Sequence, residues 1–321
     1  MAKAIEVDGL TKFYGDLLAV DHISFAVEEG ELFGFLGPNG AGKTTTVRML
    51  SGLTRISEGQ ARVGGFDVRR QTKEVKAHIG VVQDTSNLYL DLSVHDNLMF
   101  AAQIHGVPRH QRHKRVMELL EMFGLASRKD QRFAALSRGL KRRLTIAAAL
   151  VHDPPILFLD EPTLGLDVKS RRLMHRLIKE LHAKGTTIFL TTHYIEEADR
   201  LCDRIAIINH GRILLADTPE RIKRKAQGEQ IVRVSFEGGE ERLAEQLRGL
   251  PHVEGVRATG DGFELRSDRV SELLLELADF ARSHGLRIIS LNTAGPTLED
   301  AFAQLTGIDL ELMRMERKNA G

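Results

Sequence analysis

The sequence predicts an α/β fold with a smaller α+β domain behind it, and three observations predict it. An apolar run, ELFGFLG, feeds directly into GPNGAGKT at residues 37–44, and a helical pattern follows from about Lys43. A second apolar run, residues 156–159, ends on two adjacent acids, Asp160 and Glu161. Beyond residue 230 the hydrophobic period switches in the order strand, helix, strand, strand, helix, strand.

The first elements are short β-like runs separated by turns, AIEVDGL and HISFAVEEG. The next is the strand that enters the glycine loop. That loop fits G-x-x-x-x-G-K-[ST], whose backbone N–H groups cradle a polyphosphate. Gly40 and Gly42 let the main chain approach phosphate without a side chain in the way, and the helix that starts there aims its positive end at the anion. Lys43 is the residue to neutralise β- and γ-phosphates, and Thr44 offers a hydroxyl to Mg²⁺.

From about residue 93 to 140 the pattern is helical, carried by Val94, Leu98, residues 100–102 and MELLEMFGL; it reads as a compact insertion, too short for a long coiled coil. The ILFLDE strand follows, then a helix over 169–184, a buried strand TTIFLTTH, another helix, and a strand RIAIIN ending at the turn His210-Gly211. RIKRKAQGE, residues 221–229, is the candidate linker, so the first domain is expected to run to about 222 and the second from 231 to 321. The second domain's strands are IVRVSF, VEGVRAT, GFELRS and LRIISLNT, with helices EERLAEQLRGL and VSELLLELADFARSHG, the split unit of ferredoxin-like domains. Thr297 is placed to cap a last helix, TLEDAFAQLTG, with Asp300 at its third position.

Composition agrees with two soluble globular units: 321 residues, 42% hydrophobic and 28% charged. The net charge of +1 hides an asymmetry, because residues 1–225 hold 34 Lys and Arg against 27 Asp and Glu, whereas 226–321 hold 11 against 17. Two surfaces of opposite sign are expected. One cysteine, Cys202, excludes an intramolecular disulfide framework, fits a reducing compartment and reads as a small core residue. The N-terminus lacks the apolar run of a signal peptide, and no apolar stretch approaches the roughly 18 residues that span a bilayer. If transport is involved, another polypeptide must provide the pore.

Asp160 follows four apolar residues, so its carboxylate emerges at the carboxyl edge of the sheet, where open α/β sheets bind ligands; it suits the Mg²⁺ shell. Glu161 points elsewhere and is suited to polarise a water for attack on the γ-phosphate. Gln83 ends IGVVQ and His193 ends TTIFLTTH, two polar groups that strands deliver to the same edge, where each can touch γ-phosphate, metal or water.

The order of these motifs over about residues 4–220 resembles the ATP-binding cassette (ABC) family. The resemblance implies a P-loop cassette with a mixed sheet, an antiparallel β part and a helical insertion. Tyr14 in TKFYG looks like the aromatic that stacks on adenine; Gly37, Pro38, Asn39, Gly40, Ala41, Gly42, Lys43, Thr44 and Thr45 form the phosphate loop. Gln83 matches the Q-loop, a ligand of Mg²⁺ with Thr44 and Asp160. LSRGL matches the signature, ILFLDE the acidic strand, Asp167 in LGLD the D-loop and His193 the switch histidine. By resemblance Glu161, His193 and Gln83 are catalytic, and Ser137, Arg138, Gly139 and Asp167 complete an ATP site on a second copy of the chain.

The signature departs from LSGGQ at Arg138 and Leu140, and Arg138 reads either as a phosphate or interdomain contact or, preferred, as a solvated side chain. PTLEDAFAQLTG behind an acidic α/β domain is similar to the tail of cassette subunits of the daunorubicin-resistance type, which pair with separate six-helix membrane proteins of the ABC-2 class. That implies a cytoplasmic ATPase, peripheral on the cell membrane through its permease, with ATP and Mg²⁺ as cofactors and a drug or other small hydrophobic cargo. The rival is a soluble cassette without a membrane partner. The basic run at 109–115 suits a membrane partner or headgroups on one reading and a solvated helix face on the other; nucleic acid is not expected, since no aromatic residues interleave it.

Overall fold

A computed structural model describes residues 2–83, 88–225, 230–237, 243–260 and 262–307. The chain forms two compact units that part between Pro219 and Glu220.

The first unit opens with two long strands, β1 (Lys3–Tyr14) and β2 (Leu17–Glu28), followed by β3 (Leu32–Leu36) and α1 (Lys43–Leu50). After them come β4 (Glu58–Val63), β5 (Phe66–Asp67), α2 (Thr72–His78) and β6 (Ile79–Val82). Three helices make the insertion: α3 (Val94–Ile104), α4 (Arg109–Met122) and α5 (Arg138–Ala149). The unit closes with β7 (Ile156–Asp160), α6 (Val168–Ala183), β8 (Thr187–Thr192), α7 (Ile195–Leu201), β9 (Arg204–Asn209) and β10 (Arg212–Asp217).

Two sheets result. One is antiparallel in the order β2-β1-β4-β5; the other runs β10-β9-β3-β8-β7-β6, with every pair from β9 to β6 parallel and β10 antiparallel at the edge. Every residue of β3, β7 and β8 is buried, as expected of parallel strands covered on both faces. Phe189 of β8 lies at the centre of four rings, with centroids 5.4 Å from Phe35, 5.5 Å from Phe158, 5.8 Å from Phe33 and 5.9 Å from Phe25. Helix α6 turns Met174, Leu177, Ile178 and Leu181 inward, the i, i+3, i+4, i+7 stripe of a one-faced helix. Cys202 is buried with its sulfur against Gly34, and burial pushes its thiol well up, so it acts as a small core group.

The stretch expected to be a linker is helical as far as Lys225: α8 spans Pro219–Lys225, and Ile222 is buried. Residues 226–229 lie outside the described residues. The second unit carries β11 (Gln230–Phe236), α9 (Leu243–Arg248), β12 (Gly255–Thr259), β13 (Gly262–Ser267), α10 (Val270–Ser283), β14 (Ile288–Ala294) and α11 (Leu298–Thr306). The first turn expected of α9, residues 240–242, and the tail from 308 lie outside the described residues. The strand order β12-β13-β11-β14, antiparallel throughout, is that of a split βαβ sandwich, with Val232, Val234, Leu265, Leu273 and Leu277 fully buried in its core. Thr297 caps α11 in a capping box with Asp300, each side chain bonded to the other's backbone N–H.

Candidate nucleotide site

The loop between β3 and α1 is shaped from its inner side. Gly42 has a φ of 103°, and a Cβ there would stand 2.7 Å from the carbonyl oxygen of Ala19. At Gly37 a Cβ would collide with the carbonyl of Ile208. These two glycines let the loop lie against β2 and β9, a packing demand distinct from the approach to phosphate that the sequence suggests.

The loop forms one wall of a cavity of about 460 Å³ that brings together Tyr14, Asn39, Gly40, Gly42, Lys43, Thr44, Thr45 and Glu161. Lys43 is buried, and its Nζ donates to the carbonyls of Gly37 at 2.7 Å and Pro38 at 3.0 Å. The same Nζ is 3.2 Å from Oε1 of Glu161, whose Oε2 accepts from His193 Nδ1 at 2.9 Å. Burial pushes the Glu161 carboxyl up, but the His193 hydrogen bond and the Lys43 charge outweigh it, and the net displacement is below the ordinary glutamate value. Glu161 is thus a buried carboxylate held ionised by two cationic or donor neighbours.

Asp160, fully buried one residue earlier, accepts from Thr191 Oγ1 at 2.5 Å. Its donor chemistry, with the Thr44 hydroxyl on the cavity wall, is the oxygen set that Mg²⁺ takes beside phosphate and water. No group of three or more His, Cys, Asp or Glu forms a metal cage among the described residues.

Other expected residues stand elsewhere. Gln83 lines a second cavity, with Tyr89, Asn97, Phe100 and Ile104, and its carbonyl accepts from Arg142. Ser137 caps α5, and Asp167 caps α6 while also accepting from Ser170 Oγ at 2.7 Å. Arg138, preferred above as a solvated side chain, is exposed, and it also donates to the Gly165 carbonyl at 3.1 Å and lies over that glycine. The signature turn and the D-loop therefore pack on each other within one chain. In the basic run, Arg112 bonds the Val107 carbonyl and Arg115 bonds the Leu150 carbonyl and Asp153, internal ties for two of its charges.

Sequence reasoning missed Leu17, Leu164 and His210, which also line the nucleotide cavity, and it missed Arg142. The turn His210-Gly211 was legible as a turn. Nothing in its local pattern says that it faces the phosphate loop, because β9 pairs with β3 from far along the chain.

A phosphate loop on a parallel strand, an acid pair on a strand of the same sheet and a helical insertion with its own capped turn define an ATP-binding cassette. Residues 20–164 match the ABC transporter family, and residues 218–306 match the C-terminal domain of DrrA1-3-like ATP-binding proteins. The chain is 37% identical to the linearmycin resistance ATP-binding protein LnrL of Bacillus subtilis (strain 168), covering 94% of this chain and 98% of that one. It is 39% identical to the Nod factor export ATP-binding protein I of Rhizobium sp. (strain N33), covering 96% and 98%. Among solved structures, a dimeric, post-hydrolysis ATP-binding cassette bound to ADP and Pi aligns with TM-score 0.62 at 26% identity, over 67% of this chain and 98% of that chain. The chain belongs to the ABC transporter family, as an ATPase cassette with a DrrA-type C-terminal domain.

Proposed function

We propose that this chain is the ATP-hydrolysing subunit of an export system: two copies close on ATP and drive a separate multi-span membrane permease. What carries the reading is the Lys43–Glu161–His193 array at the mouth of the phosphate loop, in a chain matched nearly end to end by export and resistance subunits.

The roles follow from the chemistry. Tyr14, 44% exposed at the cavity rim, offers its ring to the adenine face. Lys43 and the loop's N–H groups take the polyphosphate. Glu161 receives a proton from the attacking water, and the hydrogen bond from His193 fixes the direction of its carboxylate. Thr44 and Asp160 would hold Mg²⁺, which would supply charge neutralisation at the phosphate oxygens; Gln83, lining the second cavity, would have to be carried to it as the copies close. Ser137, Gly139 and Asp167, on the separate capped turns, complete the site of the second copy, so nucleotide bridges two positive surfaces and its cleavage removes the bridge.

No described helix is long and apolar enough to cross a membrane, and the permease of this reading is a second polypeptide. Location on the cytoplasmic membrane face follows from that partner. A drug or other small hydrophobic cargo is favoured by the linearmycin resistance relative, and the second relative is likewise named for export, of Nod factor. The test is copurification from detergent extracts and reconstitution. A six-span polypeptide that raises ATP turnover in vesicles supports the assignment; a chain that hydrolyses ATP at full rate alone and retains no membrane protein overturns it.

A further inference from the structure

We propose that Arg142 is a positioning residue of the hydrolytic site, tying the signature turn to the backbone of Glu161 and Gln83. Its guanidinium touches four main-chain carbonyls. Nε donates to Pro162 at 3.0 Å, Nη2 to Asp160 at 2.6 Å and to Glu161 at 3.0 Å, and Nη1 to Gln83. Three of those carbonyls follow one another at the end of β7, and the fourth lies just past the end of β6. There the parallel ladder stops, and the carbonyls that leave it need donors from another element. The planar fork of an arginine supplies them in fixed geometry, which a lysine cannot reproduce.

Glu161 makes this contact consequential. Its φ of 47° is left-handed, a conformation that a side-chain-bearing residue holds only when its surroundings impose it. They impose it from both sides of the residue. The N–H of Glu161 donates to the Thr191 carbonyl at 3.1 Å, on β8, and its own carbonyl is held by Arg142, on α5. The carboxylate is in turn fixed by Lys43 and His193.

Arg142 stands five positions after Ser137, about 7.5 Å along the helix axis at 1.5 Å per residue. Helix α5 begins with the turn assigned to the second copy's nucleotide. A displacement of that turn on closure therefore reaches the Glu161 and Gln83 backbones through one side chain, whose planar guanidinium holds all four carbonyls. This coupling rests on Glu161 being the base, as proposed above.

The experiment uses the full chain with Arg142→Met and Arg142→Lys, each alone and combined with Glu161→Gln. Steady-state ATP turnover, affinity for a fluorescent ATP analogue and thermal melting are measured on all. Arg142→Met is expected to lower kcat about 10- to 100-fold, the scale of an ångström-sized misplacement, with KM and analogue affinity within about twofold; Arg142→Lys should fall between it and the parent. In the Glu161→Gln background, Arg142→Met should lower the residual turnover no further, because the group it positions is already disabled.

Unchanged kcat in Arg142→Met overturns the proposal. So does a loss that persists in full beside Glu161→Gln, or a loss in both Arg142 variants that tracks reduced melting and analogue affinity. Full turnover in Glu161→Gln alone would instead remove the base assignment, and the single-variant comparison separates the two failures.

Discussion

Lys43 and Glu161 form an ion pair across the mouth of the phosphate loop, Nζ to Oε1 at 3.2 Å, with both side chains buried. The ammonium has three protons, and the carbonyls of Gly37 and Pro38 take two of its donor directions. A polyphosphate must therefore draw Lys43 from a carboxylate that is itself destined to meet the attacking water. The pair is a competitor for nucleotide as well as a support for the base.

Replacing Glu161 with Gln separates those effects. Turnover is expected to fall about 10²- to 10⁴-fold, the range of a lost general base. Nucleotide affinity is expected to rise by about fivefold, since removing the rival charge frees roughly 1 kcal/mol of interaction at Lys43. Single-turnover hydrolysis and equilibrium binding measure the two, and sedimentation with saturating Mg-ATP should show a persistent dimer. A strictly monomeric variant with parental turnover contradicts the assignment.

Gly139→Ala tests the turn proposed to serve the second copy. A Cβ there meets Ser170 Oγ at 2.7 Å, and Ser170 is bonded to Asp167, so the added methyl disturbs both capped turns together. ATP-driven dimerisation should weaken about tenfold, roughly 1.4 kcal/mol, while a monomer's affinity for nucleotide stays unchanged. Equal loss of both would place Gly139 in the cavity of its own chain.

His152 gives a pH dependence with a definite sign. Its ring is stacked on His105 at 4.2 Å and its Nε2 bonds the Ile79 carbonyl; burial, then the charge of His105, lower its pKa from 6.5 to about 4. Between those values the unfolded chain takes up a proton that the folded chain refuses, so stability falls as pH drops through that window and is intact above it. The slope from this group is at most about 1.4 kcal/mol per pH unit. Denaturant titrations at pH 7, 6, 5 and 4 should show a shallower decline in His152→Gln than in the parent; parallel declines refute the assignment.

Phe189→Ala probes the core that positions the acidic strand. The ring is fully buried among four others, so its loss is expected to cost about 3–5 kcal/mol in urea unfolding. A loss below about 1 kcal/mol would mean that the cluster repacks around the hole.

Much of the chain was legible because its signals are local. GPNGAGKT, ILFLDE and the capping pair Thr297 and Asp300 each carry their conformation within a few residues. The βαββαβ order of the second unit could be read from alternating periods alone. The break between the units falls beside the expected linker, but the helix in its first part was not legible, because RIKRKAQGE looks like a charged spacer whereas residues up to Lys225 belong to α8; composition does not report the buried Ile222.

The sequence by itself determined the loop, the acids, the caps and the family, since each depends on residue type at short spacing. Tertiary structure alone decided what stands beside what. Strand β8 is inserted between β3 and β7, so the loop and the acid pair meet across an intervening strand, with Thr192 opposite Leu36 and Thr191 opposite Asp160. The Lys43–Glu161 contact, the fold of Arg138 over Gly165 and the grip of Arg142 on four carbonyls are long-range contacts. Hydrophobic period and turn chemistry specify which face of a segment is buried, but not its neighbour; packing all the buried faces together selects that.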